Sequence, residues 1–462
     1  MVIDSLEVHT KKKPDRILYI QKKSSITYEN FYRYGKNLAL QFQNKGLLGE
    51  CIAFSLPNSI DLAILYLATF MAGAIAIPIN PSLKQSERDY IVDQTKPKLM
   101  IDSSFQIRLE TEEQGELVRP NPEDPLAVFF TSGSTSRPKG VTHTHKSFHA
   151  MLDTMTDAVD LTSEDRFLIS ESMNNASGCC HAYMPLFSGG SGVIVPHLDI
   201  PNLKEGLKHR PTVLSIMGRG NSDIINEPSL SKDHFEGVRL NFTGGDQVTG
   251  TLMDAFKKKT GVSIRYGYGM SEFLILTVNK SNKKENQTSI GQPAKNATLE
   301  FRDSKGNRCD QEGEVYVKGP NMMIKYWNDP EETKKAVVGE WLRTGDLLSH
   351  DSEGFYWFVG RIKQMIIREG DNISPLEVES VLSKHPAVKV VGVIGIPHPN
   401  EGEVPKAFVE LKQPATEKEL ITFAKEHLED YKVPVAIQVV ESLPRTPSGK
   451  IARNLLPTIA LR

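Results

Sequence analysis

Ten residues, TSGSTSRPKG from Thr131 to Gly140, gather five hydroxyl side chains and three glycine or proline residues beside an arginine and a lysine. Hydroxyls, together with backbone N–H groups that glycine leaves accessible, form concavities that bind anions, and a phosphate chain is the ligand such a set suits. The order differs from a Walker loop, where GxxxxGK is followed by Ser or Thr, because Lys139 here precedes the second glycine. Taken alone, the stretch also reads as a solvated loop, since Ser, Gly and Pro clusters are ordinary loop punctuation.

The rest of the chain must hold such a loop in place. With 462 residues, 39% of them hydrophobic, it is long enough for a large core and for two unequal domains. Its 55 basic and 57 acidic residues leave a formal charge of −2, which argues against a general attraction to nucleic acid or an anionic membrane. The four cysteines, Cys51, Cys179, Cys180 and Cys309, contain no CxxC pair, and the adjacent two are poor partners for each other. They indicate neither a zinc site nor a disulfide framework and fit a reducing compartment, the cytoplasm. The opening MVIDSLEVHTKKKPD places an acid before its basic run and lacks an apolar core, so no signal peptide is expected. Leu62 to Ile79 holds 18 uncharged residues, near the lower limit for a membrane span, but Gly73 and Pro78 interrupt it. A buried helix over Leu62 to Met71, turning at Gly73 into a buried strand, is the expectation.

Helices and strands alternate along the chain with the cadence of an α/β protein, and no internal repeat stands out. Tyr28 to Phe42 has an amphipathic helical pattern and Ile52 to Leu56 reads as a short strand. Beyond Gly354 the text passes from an aromatic strand through a charged turn into a helix whose start is marked by Ser374 and Glu377 at capping-box spacing, with Pro375 at the first helical position. A second start follows at Thr416 and Glu419, with Leu420, Phe423, Ala424 and Leu428 on one face, and apolar strands are expected over Val388 to Ile396 and Ala407 to Leu411. These elements make a small α+β unit. The expected division is a large domain over 1–360 and a small one over 361–462.

Four later stretches give the first one a context: YGYGMSE from Tyr266, LRTGDLL from Leu342, GRIKQMIIREGDNISPLEVE from Gly360 and PRTPSGKIAR from Pro444. With these motifs in order, and with LPNSIDLAILYLATFMAGAIAIPINP and GEVYVKGP between them, essentially the entire chain resembles the adenylate-forming superfamily of acyl-CoA synthetases, adenylation domains and beetle luciferases. It is most similar to an AMP-forming acyl-CoA synthetase. The resemblance implies a large N-terminal α/β domain of packed sheets and helices, followed by a small mobile C-terminal α+β domain. It implies ATP, magnesium and CoA as the small molecules used, with an acyl-adenylate as intermediate and pyrophosphate as the first product.

Residue by residue, the resemblance puts Thr131, Ser132, Gly133, Ser134, Thr135 and Lys139 on the β- and γ-phosphates, with serine at Ser136 where the family commonly has glycine. Tyr268 would lie against the adenine with Gly269 beside it, Ser271 near the α-phosphate, and Glu272 on magnesium, a hard cation suited to carboxylate oxygen. FTGGDQV matches the segment edging the adenine, with Gly244, Gly245 and Asp246 as contacts. Asp346 carries acceptors for the two ribose hydroxyls, and Arg361 and Lys363 fall at a ribose contact and at the hinge of the small domain. Lys450 matches the lysine that bridges the acyl carboxylate and the α-phosphate, and the loop at Gly370 approaches the site for the thiol step. Thr131, Glu272 and Lys450 are thus the expected catalytic residues. Singly, each of these also has a plain reading as a turn, a charged loop or a solvent lysine.

Adenylation domains for α-amino acids place an aspartate early in the motif that here reads MNNASGCCHAYMPLFSGG, where it can pair with the substrate ammonium. Ser177 stands in its place, which disfavours an α-amino acid. Asn175 occupies a position where acyl- and aryl-CoA synthetases often carry a ring, Gly178 follows, and His181 reads equally as a pocket residue or as a histidine packed in the core. Arg219, in TVLSIMGRGN, falls near the expected wall of the acyl tunnel; facing inward it favours a second anionic group, and outward it is a surface arginine. The leading expectation is an acid:CoA ligase of acyl metabolism. Transfer to an acyl carrier protein, a noncatalytic nucleotide- or acyl-binding role, and an oxidative luciferase-like activity are the alternatives, separated by the acceptor used, by pyrophosphate release and by oxygen consumption.

Overall fold

A computed structural model describes residues 1–102, 115–131, 138–245, 248–445 and 451–459, without the side chain of Arg219. The chain forms two compact units, one made of residues 1–299 and 317–342, the other of 300–316 and 343–462.

The larger unit is α/β. Among the described residues, one of its sheets has nine strands in the order 292–293, 277–279, 264–268, 240–244, 213–215, 166–169, 191–194, 17–21, 24–27, and the other has six in the order 325–326, 139–144, 125–131, 75–78, 51–54, 99–101. Helices Tyr28–Asn44, Ile60–Met71 and Ala176–Ser188 share one apolar core with residues of both sheets, among them Phe54 and Phe129 from one and Phe167 and Ile169 from the other. The sequence explains why Ile60–Met71 lies at the centre. It is apolar all round, and every residue from Leu62 to Met71 is buried, which only a helix enclosed by other elements can satisfy. Ser59 caps it by accepting from the Leu62 N–H at 3.0 Å, and Gly73, at φ +65°, turns the chain into the strand Ile75–Pro78. The Tyr66 hydroxyl donates to the Met173 carbonyl and the Tyr183 hydroxyl to that of Ala63, so the largest buried rings have no unsatisfied oxygen. Among the described residues no helix is long and apolar enough to cross a membrane.

The elements that position the site are β1 (Pro125–Thr131), β2 (Lys139–Thr144), β3 (Arg166–Ile169), α1 (Ala176–Ser188), β4 (Ser191–Ile194), β5 (Val213–Ser215), β6 (Leu240–Gly244), β7 (Ile264–Tyr268), β8 (Lys325–Tyr326) and α2 (Pro330–Ala336). Strands β7, β6, β5, β3 and β4 are neighbours in that order and parallel. From β3 the chain moves to β4 on one side and then to β5 on the other, so the strand order reverses between β3 and β5. A crevice opens beyond the carboxyl ends of the strands at such a switch point, and ligands of open α/β sheets bind there.

The smaller unit contains β9 (Trp341–His350, from Arg343 onward) and β10 (Tyr356–Arg361), then a five-stranded sheet in which β11 (Ile366–Arg368) and β12 (Asp371–Ile373) form a hairpin beside Gly402–Leu411. That strand pairs with Val388–His398 over its full length, from Val388 opposite Leu411 to His398 opposite Gly402. Helices Pro375–Leu382 and Glu417–Lys425 bury Val378, Leu382, Leu420 and Ala424 in the core on this sheet. The capping box expected at Thr416 and Glu419 forms completely. At the other helix start Ser374 accepts from the Glu377 N–H, but the Glu377 carboxylate pairs with Lys432 instead of closing the box.

Candidate active site

Strands β1 and β2 form an antiparallel hairpin with Thr131 opposite Lys139, and Thr131 Oγ1 makes a long 3.5 Å contact to the Lys139 carbonyl. Ser132, Gly133, Ser134 and Thr135 lie outside the described residues. The Lys139 ammonium forms an ion pair with Glu332 of α2 and sits 4.8 Å from the centroid of the Tyr326 ring. From the far end of that ring the Tyr326 hydroxyl donates to Glu272 Oε1 at 2.7 Å. One tyrosine therefore joins the phosphate-side lysine to the carboxylate expected at the metal. Burial, followed by the neighbouring Glu272 charge, pushes the phenol far above its usual range, so it stays a donor.

The second oxygen of Glu272 has no hydrogen-bond partner among the described residues, and the Met323 N–H fixes the Glu272 backbone through its carbonyl at 2.8 Å. Magnesium is commonly held by one or two carboxylates together with phosphate oxygens and waters. A single half-exposed carboxylate with one oxygen tethered and the other without a partner among the described residues fits that ion.

Strand β7 delivers the YGYGMSE turn. A Cβ on Gly269 would stand 1.6 Å from the Leu274 carbonyl oxygen, so only glycine admits the turn, in which the Met270 carbonyl accepts from Phe273 and Leu274. Tyr268, buried, ends β7, and Gly244 ends the neighbouring β6, with its N–H on the Met217 sulfur at 3.2 Å; Gly245 follows, and Asp246 lies outside the described residues. The Ser271 carbonyl accepts from His143 Nε2 at 2.8 Å, which fixes the tautomer and leaves Nδ1 to accept from the Ser147 hydroxyl. Burial pushes His143 down to about 4, so it is a neutral prop under the turn at pH 7.

Beyond β3, at the switch point, Asn175 caps α1 by accepting from the Gly178 N–H at 2.7 Å. The Ser177 hydroxyl donates to Glu171 Oε2 at 2.8 Å, Asn175 reaches Oε1, and His181 Nδ1 lies 3.2 Å from Oε2 while its Nε2 is 3.4 Å from Ser215 Oγ at the end of β5. Burial alone would raise the Glu171 carboxyl; the close His181 ring and the hydrogen bonds from Ser177 and Asn175 outweigh it and hold the group below its usual value. Asn175, Ser177, Gly178 and His181 thus gather in one polar cluster, and the fully buried His181 is a core histidine within it. Arg219 opens the helix Arg219–Asn226; its side chain lies outside the described part.

In the smaller unit Asp346 and Arg361 are opposite each other across β9 and β10, with Arg361 Nε 3.1 Å from the buried Asp346 carboxylate. Lys363 lies exposed in the short turn Ile362–Gln364 that leaves β10. Glu369 and Gly370 both take positive φ between β11 and β12, the backbone signature of a tight type I′ hairpin. Lys450 is outside the described residues. Arg445 and Ile451, on either side of 446–450, form an antiparallel bridge, and Arg453 donates two hydrogen bonds from Nη2 to the Glu379 carboxylate.

Sequence reasoning missed Tyr326, Glu332, His143 and Glu171. Asp329 and Pro330 do announce the start of α2, and Asp329 caps it by accepting from the Glu332 N–H. The polar run Thr142 to His145, across the end of β2 and the first residue of the next helix, was a second available signal.

The two-unit α/β architecture and the polar groups gathered beyond the ends of the parallel strands suit the class that the family match defines, and the chain belongs to the AMP-binding enzyme family. The family profile matches residues 6–327, and that of the AMP-binding enzyme C-terminal domain matches 377–450. The chain is 29% identical to the 2-succinylbenzoate–CoA ligase of Bacillus subtilis over 96% of its own length and 95% of the relative's. It is 27% identical to a long-chain-fatty-acid–CoA ligase of Mycobacterium tuberculosis over 88% of each. Among solved structures, the Bacillus subtilis o-succinylbenzoate CoA synthetase with its acyl-adenylate intermediate matches with a TM-score of 0.88 and 27% identity, covering 98% of this chain and 97% of that one. The same enzyme with ATP and magnesium matches with a TM-score of 0.88 and 26% identity, covering 98% of this chain and 99% of that one.

Proposed function

We propose that the protein activates a carboxylic acid with ATP and passes the acyl group to CoA. In the first step a carboxylate oxygen attacks the α-phosphorus, an acyl–O–P bond forms and the P–O bond to pyrophosphate breaks. In the second the CoA sulfur attacks the acyl carbon, AMP leaves and the thiol proton passes to solvent. The observation that carries this reading is the continuous contact from Lys139 through Tyr326 to Glu272, a cation for phosphate and a carboxylate for metal on one ring. It is supported by family membership and by relatives whose solved complexes contain ATP with magnesium and an acyl-adenylate.

Crowded anions in the first step need fixed positive charge and donors. Thr131 and Lys139, with Ser132 to Thr135, hold the β- and γ-phosphates in this reading. Glu272 would hold a magnesium ion, which would supply charge to offset that of the phosphates. Tyr268, Gly244, Gly245 and Asp246 line the adenine, Asp346 with Arg361 takes the ribose, and Lys450 serves the acyl carboxylate. The small domain, 361–462, turns about Lys363 between the steps and brings Gly370 toward the thiol path.

The acid enters at the switch point, against Asn175, Ser177 and Gly178, with the buried His181 behind them. The two ligases named above act on unlike acids, one aromatic and one aliphatic, so the test spans several acid classes. Pyrophosphate release measured over fatty, aryl, dicarboxylic and amino acids, each with and without CoA, tests the proposal. Release dependent on one acid class, with thioester formed only when CoA is added, is expected. Adenylate formation with no CoA thioester would instead favour a carrier protein as acceptor, and no release with any acid would overturn the reading.

A further inference from the structure

The lysine expected to grip the phosphates is already held. Lys139 and Glu332 are distant in sequence, yet their side chains, 22% and 29% exposed, meet as an ion pair over the Tyr326 ring. Several bonds bring Glu332 there. Tyr326 and Lys325 of β8 pair with Val141 and Thr142 of β2, and the Trp327 N–H donates to the Gly140 carbonyl at 2.7 Å, next to Lys139. The Tyr326 N–H donates to Thr333 Oγ1 at 2.9 Å, which ties α2 to the same strand, and Asp329 caps the helix through the Glu332 N–H at 3.0 Å.

We propose that Glu332 is a positioning residue of the nucleotide site, which keeps the Lys139 ammonium in place without nucleotide, yields it to the terminal phosphates of ATP and takes it back when pyrophosphate leaves. The inference rests on the nucleotide role assigned above to Lys139. Three features suit Glu332 to such an exchange. The other carboxylate oxygen already pairs with Lys335 at 2.7 Å, so Glu332 keeps a cation when Lys139 moves away. The face of Tyr326 offers the ammonium a favourable surface along the way. A half-exposed single ion pair is weak, whereas a polyphosphate presents several charges at once and displaces it. Hydrogen bonding to Lys139 and then to Lys335 also holds the Glu332 carboxyl down to about 2, so the resting pair is charged throughout the neutral range.

Glu332→Gln removes the charge but keeps the side-chain shape and the backbone N–H that Asp329 caps. Calorimetric titration of the full chain with MgATP, and separately with magnesium pyrophosphate, tests the exchange. The variant is expected to bind both about twofold to fivefold more tightly, the gain of a lysine no longer shared. In a Lys139→Ala background the same substitution is expected to change neither affinity. Unchanged or weaker binding of both ligands by Glu332→Gln, with wild-type binding intact, would overturn the exchange and leave Glu332 as scaffold. A wild-type chain that binds no MgATP would instead remove the nucleotide reading, and the exchange with it.

Discussion

Glu272→Gln separates charge from shape at the proposed metal ligand. Glutamine keeps a carbonyl oxygen that can accept from the Tyr326 hydroxyl, now 2.7 Å from Glu272 Oε1, and the backbone carbonyl keeps its bond from the Met323 N–H. The fold should therefore change by no more than about 0.5 kcal/mol, as for substitutions that break no packing or network. What disappears is the negative charge on the open oxygen. A charge-assisted contact to a hard cation is worth about 2 kcal/mol net, so the magnesium concentration for half-maximal pyrophosphate release should rise about thirtyfold. The assay titrates magnesium at fixed ATP with an acid that supports release, alongside thermal unfolding of both proteins. Tyr326→Phe is the complement. It leaves the charge and removes the tether, so it should lower thermal stability while shifting the magnesium requirement less than fivefold or so. A Glu272→Gln enzyme with unchanged magnesium dependence, or a Tyr326→Phe enzyme with the larger shift of the two, would refute the assignment of the open oxygen to the metal.

Asp346→Ala removes the expected ribose acceptors and leaves Arg361 without its partner across the strands; the KM for ATP should rise about tenfold to a hundredfold while that for the acid stays within about twofold, and equal effects on the two would argue against a ribose role. His143 and His145 are both pushed down to about 4 by burial, so the folded chain binds fewer protons than the unfolded one between about 6.5 and 4. Stability from these groups is fully present above 6.5 and is lost as pH falls through that window, at up to about 1.4 kcal/mol per pH unit for each proton; urea unfolding at pH 7, 6 and 5 should show the decline, and a flat profile would refute it. Lys450→Ala should slow acyl-adenylate formation about a hundredfold yet retain most thioester formation from a supplied acyl-adenylate, and equal loss in both half-reactions would rule out alternation of the small domain.

Much of this architecture could be read along the chain because it depends on local or periodic signals. The buried helix at Leu62 to Met71 was legible from an apolar run too short and too interrupted for a membrane, and the Thr416 capping box from two residues three apart. Motif order brought the family into view and gave the candidate residues, since glycines, hydroxyls and carboxylates at a phosphate site are constrained by close approach and charge. Gly269 is an example: its turn leaves no room for a Cβ, a constraint that acts within six residues. The missed residues depend on contacts that no spacing encodes. Glu332 reaches Lys139, and Tyr326 reaches Glu272, only because β8 adds to the edge of β2; His181, already beside Glu171, meets Ser215 only because β5 lies next to β3 where the strand order reverses. Sequence alone determined the type of chemistry, which lies in residue types and short-range geometry. Tertiary structure decided which charges neutralise one another, because ion pairing falls off over a few ångströms and those distances are set by how strands far apart in the chain are laid side by side.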